Sequence, residues 1–319
     1  MLFLTAFIWG TAFVAQSVGM DYVGPFTFNF TRYIVGSLVL IPFVIINLSK
    51  YKKQTGQNNF TEKDIKTTEK ENHANGTNIS SCKSSAKEYI KYTLFGGLGC
   101  GVLLCVASSL QQFGIMYSKA VGKAGFLTAL YIIIVPVLGI FFKKKTKALI
   151  WICVLLATVG LYLLCVKEGF RFELGDIFLI LCAIVFSFHI MLIDFVSPKG
   201  DGVTISCIQF AISGVLCFIC AIITERINLQ DIIKGWFPIL YAGVMSCGVA
   251  YTFQILGQKY VEPTKASLIL CLESVFATLG GWIILNQVLT IKETIGCIIV
   301  FIAIILAQFV QKPSDSNPN

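Results

Sequence analysis

Ten stretches of this chain run for 17 residues or more with at most one charged side chain. They are Met1–Met20, Tyr33–Ser49, Tyr92–Ser118, Ala124–Phe142, Ala148–Val166, Ile177–Ile193, Gly202–Thr224, Gly235–Gln258, Ala266–Ile291 and Thr294–Gln311. A helix crossing hydrocarbon needs about 20 mostly apolar residues at about 1.5 Å each. The shortest three have 17 or 18 residues, and snorkelling or uncharged neighbours complete a span. A transmembrane barrel would alternate polar and apolar side chains instead. The chain therefore reads as an all-α integral membrane protein of ten helices. Only 13% of its residues are charged, about half the share a soluble surface needs, which excludes soluble enzymes and disordered proteins.

The net charge of +8 marks a membrane face, not a nucleic-acid partner. Loops after the even-numbered runs, with the tail, hold 17 of the 25 Lys and Arg; loops after the odd-numbered runs hold 7, and Arg32 is the remaining one. By the positive-inside rule both termini are cytoplasmic; the expected location is the plasma (inner) membrane. Lys143, Lys144, Lys145 and Lys147 are the strongest single anchor. No basic segment or small-residue cleavage site precedes the first run, so no signal peptide is read. Eleven of the twelve Cys lie inside runs, which argues against a disulfide scaffold. Cys217 and Cys220 read as packing residues.

Residues 50–91 are a polar cytoplasmic loop, disordered or weakly helical. Its two sequons, at Asn75 and Asn78, face a compartment where glycosylation does not occur. An internal repeat divides the rest. Ala107–Tyr117 resembles Ala250–Tyr260, aligning Gln111 with Gln254, and each copy runs on to a Lys-Ala pair, Lys123-Ala124 or Lys265-Ala266. The repeat splits the chain at 1–166 and 175–311, before a short tail at 312–319. Five helices per unit is an odd number, so the units face opposite ways. Inverted repeats of this kind build secondary transporters, with the site near midplane.

Polar side chains inside the runs are costly, and ionisable ones are functional candidates by default. Asn29, Arg32, Tyr33 and Gly36 share one helical stripe; Trp9, Phe13 and Gln16 share another. The third run offers Gln111 and Gln112, the fourth Tyr131, and the eighth Tyr251 and Gln254. Glu273 lies about 10 Å along the ninth helix, among small neighbours Ala266, Ala277 and Gly280, so its face packs in the bundle. His189 falls at a similar depth. A buried carboxylate can carry a proton, and a histidine can pair with it. Each has a structural reading as well: Arg32 snorkelling to the outer interface, Glu273 bonded to helix-end amides or a Lys, His189 hydrogen-bonded in the core, the glutamines gluing helices together. Gly96, Gly97, Gly99 and Gly101 indicate close helix contact, and Pro136 predicts a kink in the fourth helix. No metal-ligand, cofactor or nucleophile–base pattern is present, so an intramembrane enzyme has little material.

Several segments resemble the EamA family of the drug/metabolite transporter superfamily: Trp9-Gly10-Thr11, Pro25 followed by Arg32-Tyr33, Gly125–Pro136 before the basic loop, and Glu273–Ala277 followed by Leu289-Thr290 and Gly296. The resemblance covers nearly the whole chain except 50–91. It implies an inverted five-plus-five repeat, a central cavity, and export or uptake of small metabolites such as amino acids. One position departs: where the family usually carries Gly-Glu before Leu-Thr, this chain has Asn286-Gln287. The reading is a carrier working by alternating access on a metabolite of the amino-acid kind, in the export direction. Its cavity is lined from runs 1, 2, 3, 4, 6, 8 and 9. The candidate binding residues are Trp9, Gln16, Asn29, Arg32, Gln111, Tyr131, His189, Tyr251, Gln254 and Glu273. Protons are the candidate coupling ion and a homodimer the candidate assembly. The alternatives are a lipid-linked or nucleotide-sugar translocator, and a non-transporting scaffold.

Overall fold

In the computed structural model, residues 1–57, 79–118, 121–143, 147–165, 173–285 and 290–309 are described, and every regular element among them is a helix. The first three are α1 (Leu2–Gly19), α2 (Pro25–Gln57) and α3 (Ile79–Ser118). The fourth run forms two helices, α4 (Val121–Thr128) and α5 (Tyr131–Phe141), followed by α6 (Ala148–Cys165). The second half holds α7 (Leu174–Val196), α8 (Gly202–Thr224), the short α9 (Leu229–Lys234) and α10 (Trp236–Tyr241). A π-helical segment (Ala242–Tyr251) then leads into α11 (Thr252–Gln258), α12 (Pro263–Leu270), α13 (Leu272–Leu285) and α14 (Ile291–Phe309).

Eight segments among the described residues are long and apolar enough to cross a membrane. The fifth run is a shorter apolar helix, and the ninth is parted at Cys271 into α12 and α13. Helical structure also enters the polar loop from both sides. α2 has 33 residues and α3 has 40, or about 50 and 60 Å at 1.5 Å per residue, well beyond a hydrocarbon core of about 30 Å. The sequons' asparagines, Lys144 and Lys145, Asn286-Gln287 and the tail lie outside the described residues.

Helix ends are set by local chemistry. Pro25 opens α2 where its missing N–H costs nothing. The Glu225 carboxylate, at the far end of α8, accepts from the Phe26 and Thr27 amides at 2.8 and 2.9 Å and from the Thr27 hydroxyl at 2.6 Å. Asp201 caps α8 by accepting from the Thr204 amide at 2.8 Å. The buried Asp176 accepts from the Glu173 amide at 2.8 Å at the start of α7 and pairs with Lys123 of α4 at 2.8 Å.

Small residues bring the helices together. A Cβ on Gly10 of α1 would stand 2.5 Å from Phe276 Cβ and 2.7 Å from the Glu273 carbonyl, so α1 lies directly on α13. α6 meets α14 through a reciprocal pair: a Cβ on Gly160 would meet the Gly296 carbonyl at 2.9 Å, and one on Gly296 the Gly160 carbonyl at 2.6 Å. Gly97 and Gly101 of α3 receive Ile208 and Ile212 of α8, the close contact expected of that glycine cluster. The fourth helix is interrupted at Ala129-Leu130, upstream of Pro136, which lies inside the continuous α5. At the interruption the Leu130, Ile132 and Ile133 amides reach back three residues instead of four.

Two large apolar cores and two small ones result among the described residues. One large core joins Phe13, Ile132, Leu161, Leu272 and Val300; the other joins Tyr33, Leu104, Phe186, Phe210 and Tyr251. Large apolar side chains such as Leu155, Ile223 and Ile283 stand on the outside, where hydrocarbon would cover them.

Candidate functional site

A small cavity of about 30 Å³ lies where the two large cores meet. α1 contributes Trp9, Phe13 and Gln16, spaced to fall on one helical face. α2 supplies Arg32 and α3 supplies Gln111. The interrupted fourth helix gives Thr128 just before its break and Tyr131 just after it. Ser246 and Tyr251 come from the π segment and Gln254 from α11, while Leu270 and Glu273 flank the second break at Cys271. Phe186 and Ile190 of α7 complete the wall.

Eight of the ten residues singled out from sequence therefore face one chamber: Trp9, Gln16, Arg32, Gln111, Tyr131, Tyr251, Gln254 and Glu273. The other two lie outside its lining, each against a neighbouring polar side chain. Asn29 Nδ2 donates to Ser109 Oγ at 3.5 Å, and His189 Nε2 lies 3.1 Å from Gln209 Oε1. Thr128, Phe186, Ile190, Ser246 and Leu270 were not singled out. Thr and Ser are common in membrane helices because their hydroxyls can bond back to the preceding turn, so they carry little signal.

The two ionisable side chains of the wall are held differently. Tyr131 donates its hydroxyl to Glu273 Oε1 at 2.9 Å, joining the two interrupted helices across the chamber. Beside it, Ser274 donates to the Gly125 carbonyl at 3.1 Å. Arg32 is only 2% exposed. Its guanidinium lies 4.9 Å from the Tyr33 ring centroid and 5.6 Å from that of Phe28, and Nη2 donates to the Tyr33 hydroxyl at 3.2 Å. Among the described residues no carboxylate pairs with it. Snorkelling to an interface is thus not what Arg32 does: the packing of α2 on the π segment turns it inward. Gly243 makes that packing close, since a Cβ there would stand 3.0 Å from the Arg32 carbonyl and 2.6 Å from Val35 Cβ.

The π segment itself was not foreseen. Ten residues of wide helix place Ser246 and Tyr251 on the chamber, and Thr5 of α1 donates to the Ala250 carbonyl at 3.0 Å. π turns recur at functional sites. Trp9 lies over Tyr251 with centroids 4.6 Å apart. Five polar atoms of the wall lack a hydrogen-bond partner among the described residues: Trp9 Nε1, Gln16 Oε1, Arg32 Nε, Thr128 Oγ1 and Gln254 Oε1. Two are donors, two are acceptors and the hydroxyl is both, so a ligand presenting both kinds of group is complementary to this wall. Among the described residues no three His, Cys, Asp or Glu side chains are grouped to hold a metal ion.

Apolar helices long enough to span a bilayer, packed around a buried polar chamber, define a multi-pass membrane protein of the transporter class. The chain belongs to the EamA-like transporter family, whose profile matches residues 1–61 and 173–309. It is 25% identical over 314 residues to an uncharacterized transporter of Archaeoglobus fulgidus, covering 96% of this chain and 84% of that one. An uncharacterized transporter of Clostridium kluyveri is 22% identical over 319 residues, covering 96% and 91%. The uncharacterized transporter YoaV of Bacillus subtilis is 22% identical over 311 residues, covering 95% and 93%. A crystal structure described only as that of a protein superposes with a TM-score of 0.69 at 14% identity, covering 96% of this chain and 94% of its own. That last likeness is one of fold.

Proposed function

We propose that this transporter is a secondary carrier moving a small organic metabolite, an amino acid or a close relative, out of the cell by alternating access. It would act in the plasma membrane as ten helices in an inverted five-plus-five repeat, with both termini cytoplasmic. The observation that carries the reading is that corresponding positions of the two halves meet each other, one such pair on the chamber wall. The sequence separation that takes Lys123 to Lys265 also takes Ala129 to Cys271 and Tyr131 to Glu273. Ala129 and Cys271 are the two helix breaks, and Tyr131 and Glu273 are hydrogen-bonded to each other. Likewise, the separation from Pro25 to Gly202, the first residues of α2 and α8, takes Tyr33 to Phe210, whose rings stack at 5.8 Å and 13°. The reciprocal Gly160 and Gly296 contact belongs to the same pattern. A two-fold relation in the membrane plane accounts for all three.

In this mechanism the interrupted helices are the moving parts. A break lets the two ends of one span tilt separately. The Tyr131–Glu273 bond ties the breaks together, so a substrate competing for either partner biases both at once. Glu273 is the group proposed to take up or release the coupling proton, and Gln111 and Gln254 orient the substrate from opposite halves.

The experiment is flux of radiolabelled amino acids in proteoliposomes, with wild-type protein and Glu273→Gln. Wild-type flux, lost or uncoupled from a proton gradient in a variant that still inserts, supports the carrier. Full activity of Glu273→Gln removes its coupling role, and no flux of any metabolite supports a non-transporting scaffold. Competition by nucleotide sugars but not by amino acids would favour the translocator reading.

A further inference from the structure

The carrier reading names an amino acid or a close relative as cargo without saying which side chain holds its acidic end, and Arg32 bears on that. A guanidinium keeps its charge under all ordinary conditions, and burying an unpaired charge is expensive. Arg32 is nine-tenths buried and more, yet what surrounds it is aromatic: the faces of Phe28 and Tyr33 and the Tyr33 hydroxyl. Those contacts hold the planar head in place and leave Nε without an acceptor among the described residues. A purely structural arginine would have an anionic partner. This one lines the chamber instead.

A second observation is independent of the first. Trp9 Nε1, from another helix, is also buried on the chamber wall without an acceptor. The unsatisfied acceptors of the same wall, Gln16 Oε1 and Gln254 Oε1, and the Glu273 carboxylate call for donors. We propose that Arg32 is the anchor for a carboxylate group of the transported metabolite, with Trp9 Nε1 as its second donor, so that the cargo is a small carboxylic acid carrying one negative charge at that end. This rests on the carrier reading and sharpens it.

The charge balance of the wall selects carboxylate over phosphate. Arg32 is the one Lys or Arg side chain lining the chamber among the described residues, and Glu273 shares the space. A single cation balances a monoanion. A phosphomonoester carries close to two charges near neutrality, and a nucleoside diphosphate sugar also carries two; each would leave one charge unpaired and facing Glu273. The planar fork of a guanidinium also matches the two oxygens of a carboxylate. The matching need at the other end is met by an ammonium or hydroxyl donor reaching Glu273 or Gln254.

The test uses purified full-length protein and a panel of the proteinogenic amino acids and simple monocarboxylates, each paired with its primary amide, plus sugar phosphates. Thermal stabilisation and equilibrium binding are measured for wild type, Arg32→Gln and Arg32→Lys. At least one acid should bind, with its amide weaker by roughly 10- to 100-fold, the range expected for losing a charge-assisted hydrogen bond. Arg32→Gln should erase that acid-over-amide preference while Arg32→Lys keeps part of it, a pattern that general loss of stability would not produce. If Arg32→Gln does not fold, the acid and amide comparison on wild type decides alone. Equal binding of acid and amide, or preference for a sugar phosphate, overturns the carboxylate anchor and leaves the carrier standing. No binding and no flux for any member of the panel overturns the carrier as well.

Discussion

Replacing Tyr131 by Phe removes one oxygen and little else, so its effect can be worked from the structure. That oxygen donates to Glu273 Oε1 at 2.9 Å, and the two residues are only 3% and 4% exposed. Hydrogen bonds to charged groups are worth about 1.5–3 kcal/mol in soluble proteins. Interhelical bonds measured inside a bilayer average about 0.6 and reach about 1.7 kcal/mol, because helices of the unfolded reference state also find partners. The expected coupling between Tyr131 and Glu273 is therefore about 1–2 kcal/mol. The assay is a double-mutant cycle of Tyr131→Phe and Glu273→Ala, read by reversible unfolding in lipid-detergent mixtures. Phe preserves the ring packing and Ala removes the acceptor, so the cycle reports the bond. If the bond also links the two breaks, Tyr131→Phe should slow transport about tenfold, the kinetic equivalent of about 1.4 kcal/mol. Additivity within about 0.3–0.5 kcal/mol, together with wild-type flux in Tyr131→Phe, would refute the coupling of the interrupted helices.

Other consequences are simpler to check. Gly160→Val should destabilise the protein by about 1–3 kcal/mol, since its Cβ would stand 2.8 Å from Val300 Cγ2 and 2.9 Å from the Gly296 carbonyl; an unchanged melting temperature would deny the close seam between α6 and α14. Lys123→Met strips the fully buried Asp176 of a partner at 2.8 Å, for a loss of about 3–5 kcal/mol, and adding Asp176→Asn should recover part of it. Glu225→Ala leaves the start of α2 without its acceptor for the Phe26 and Thr27 amides, at a cost of about 1–2 kcal/mol, measurable as faster hydrogen exchange at the head of that helix.

The membrane helices and the chamber's polar residues were legible for one physical reason. Hydrocarbon penalises charge so heavily that any polar side chain in an apolar run needs a purpose. Arg32, Gln111, Gln254 and Glu273 stood out on that ground. Sequence could not say which of them reach a common space. Asn29 and His189 looked equivalent to Arg32 and Glu273, yet Ser109 and Gln209 engage them away from the chamber, and only the crossing of α2 with α3 and of α7 with α8 decides that. The helix breaks were missed because neither Ala129-Leu130 nor Cys271 is a helix breaker, while Pro136 drew attention nearly two turns too far on. The π segment was hidden for a similar reason: Ala, Gly, Ser and Cys between Ala242 and Tyr251 suit an ordinary tightly packed α-helix equally well.

The proposed substrate chamber between the two halves can be probed with a thiol. In a cysteine-free background, Gln254→Cys and the outward-facing Leu155→Cys, 66% exposed on the molecular surface, are treated with a membrane-impermeant alkylating reagent from each side of sealed vesicles. The prediction is that position 254 reacts from both sides, more slowly when a transported acid is present, while position 155 reacts from neither. A thiol at 254 as inert as the one at 155 would contradict the chamber and the carrier built on it.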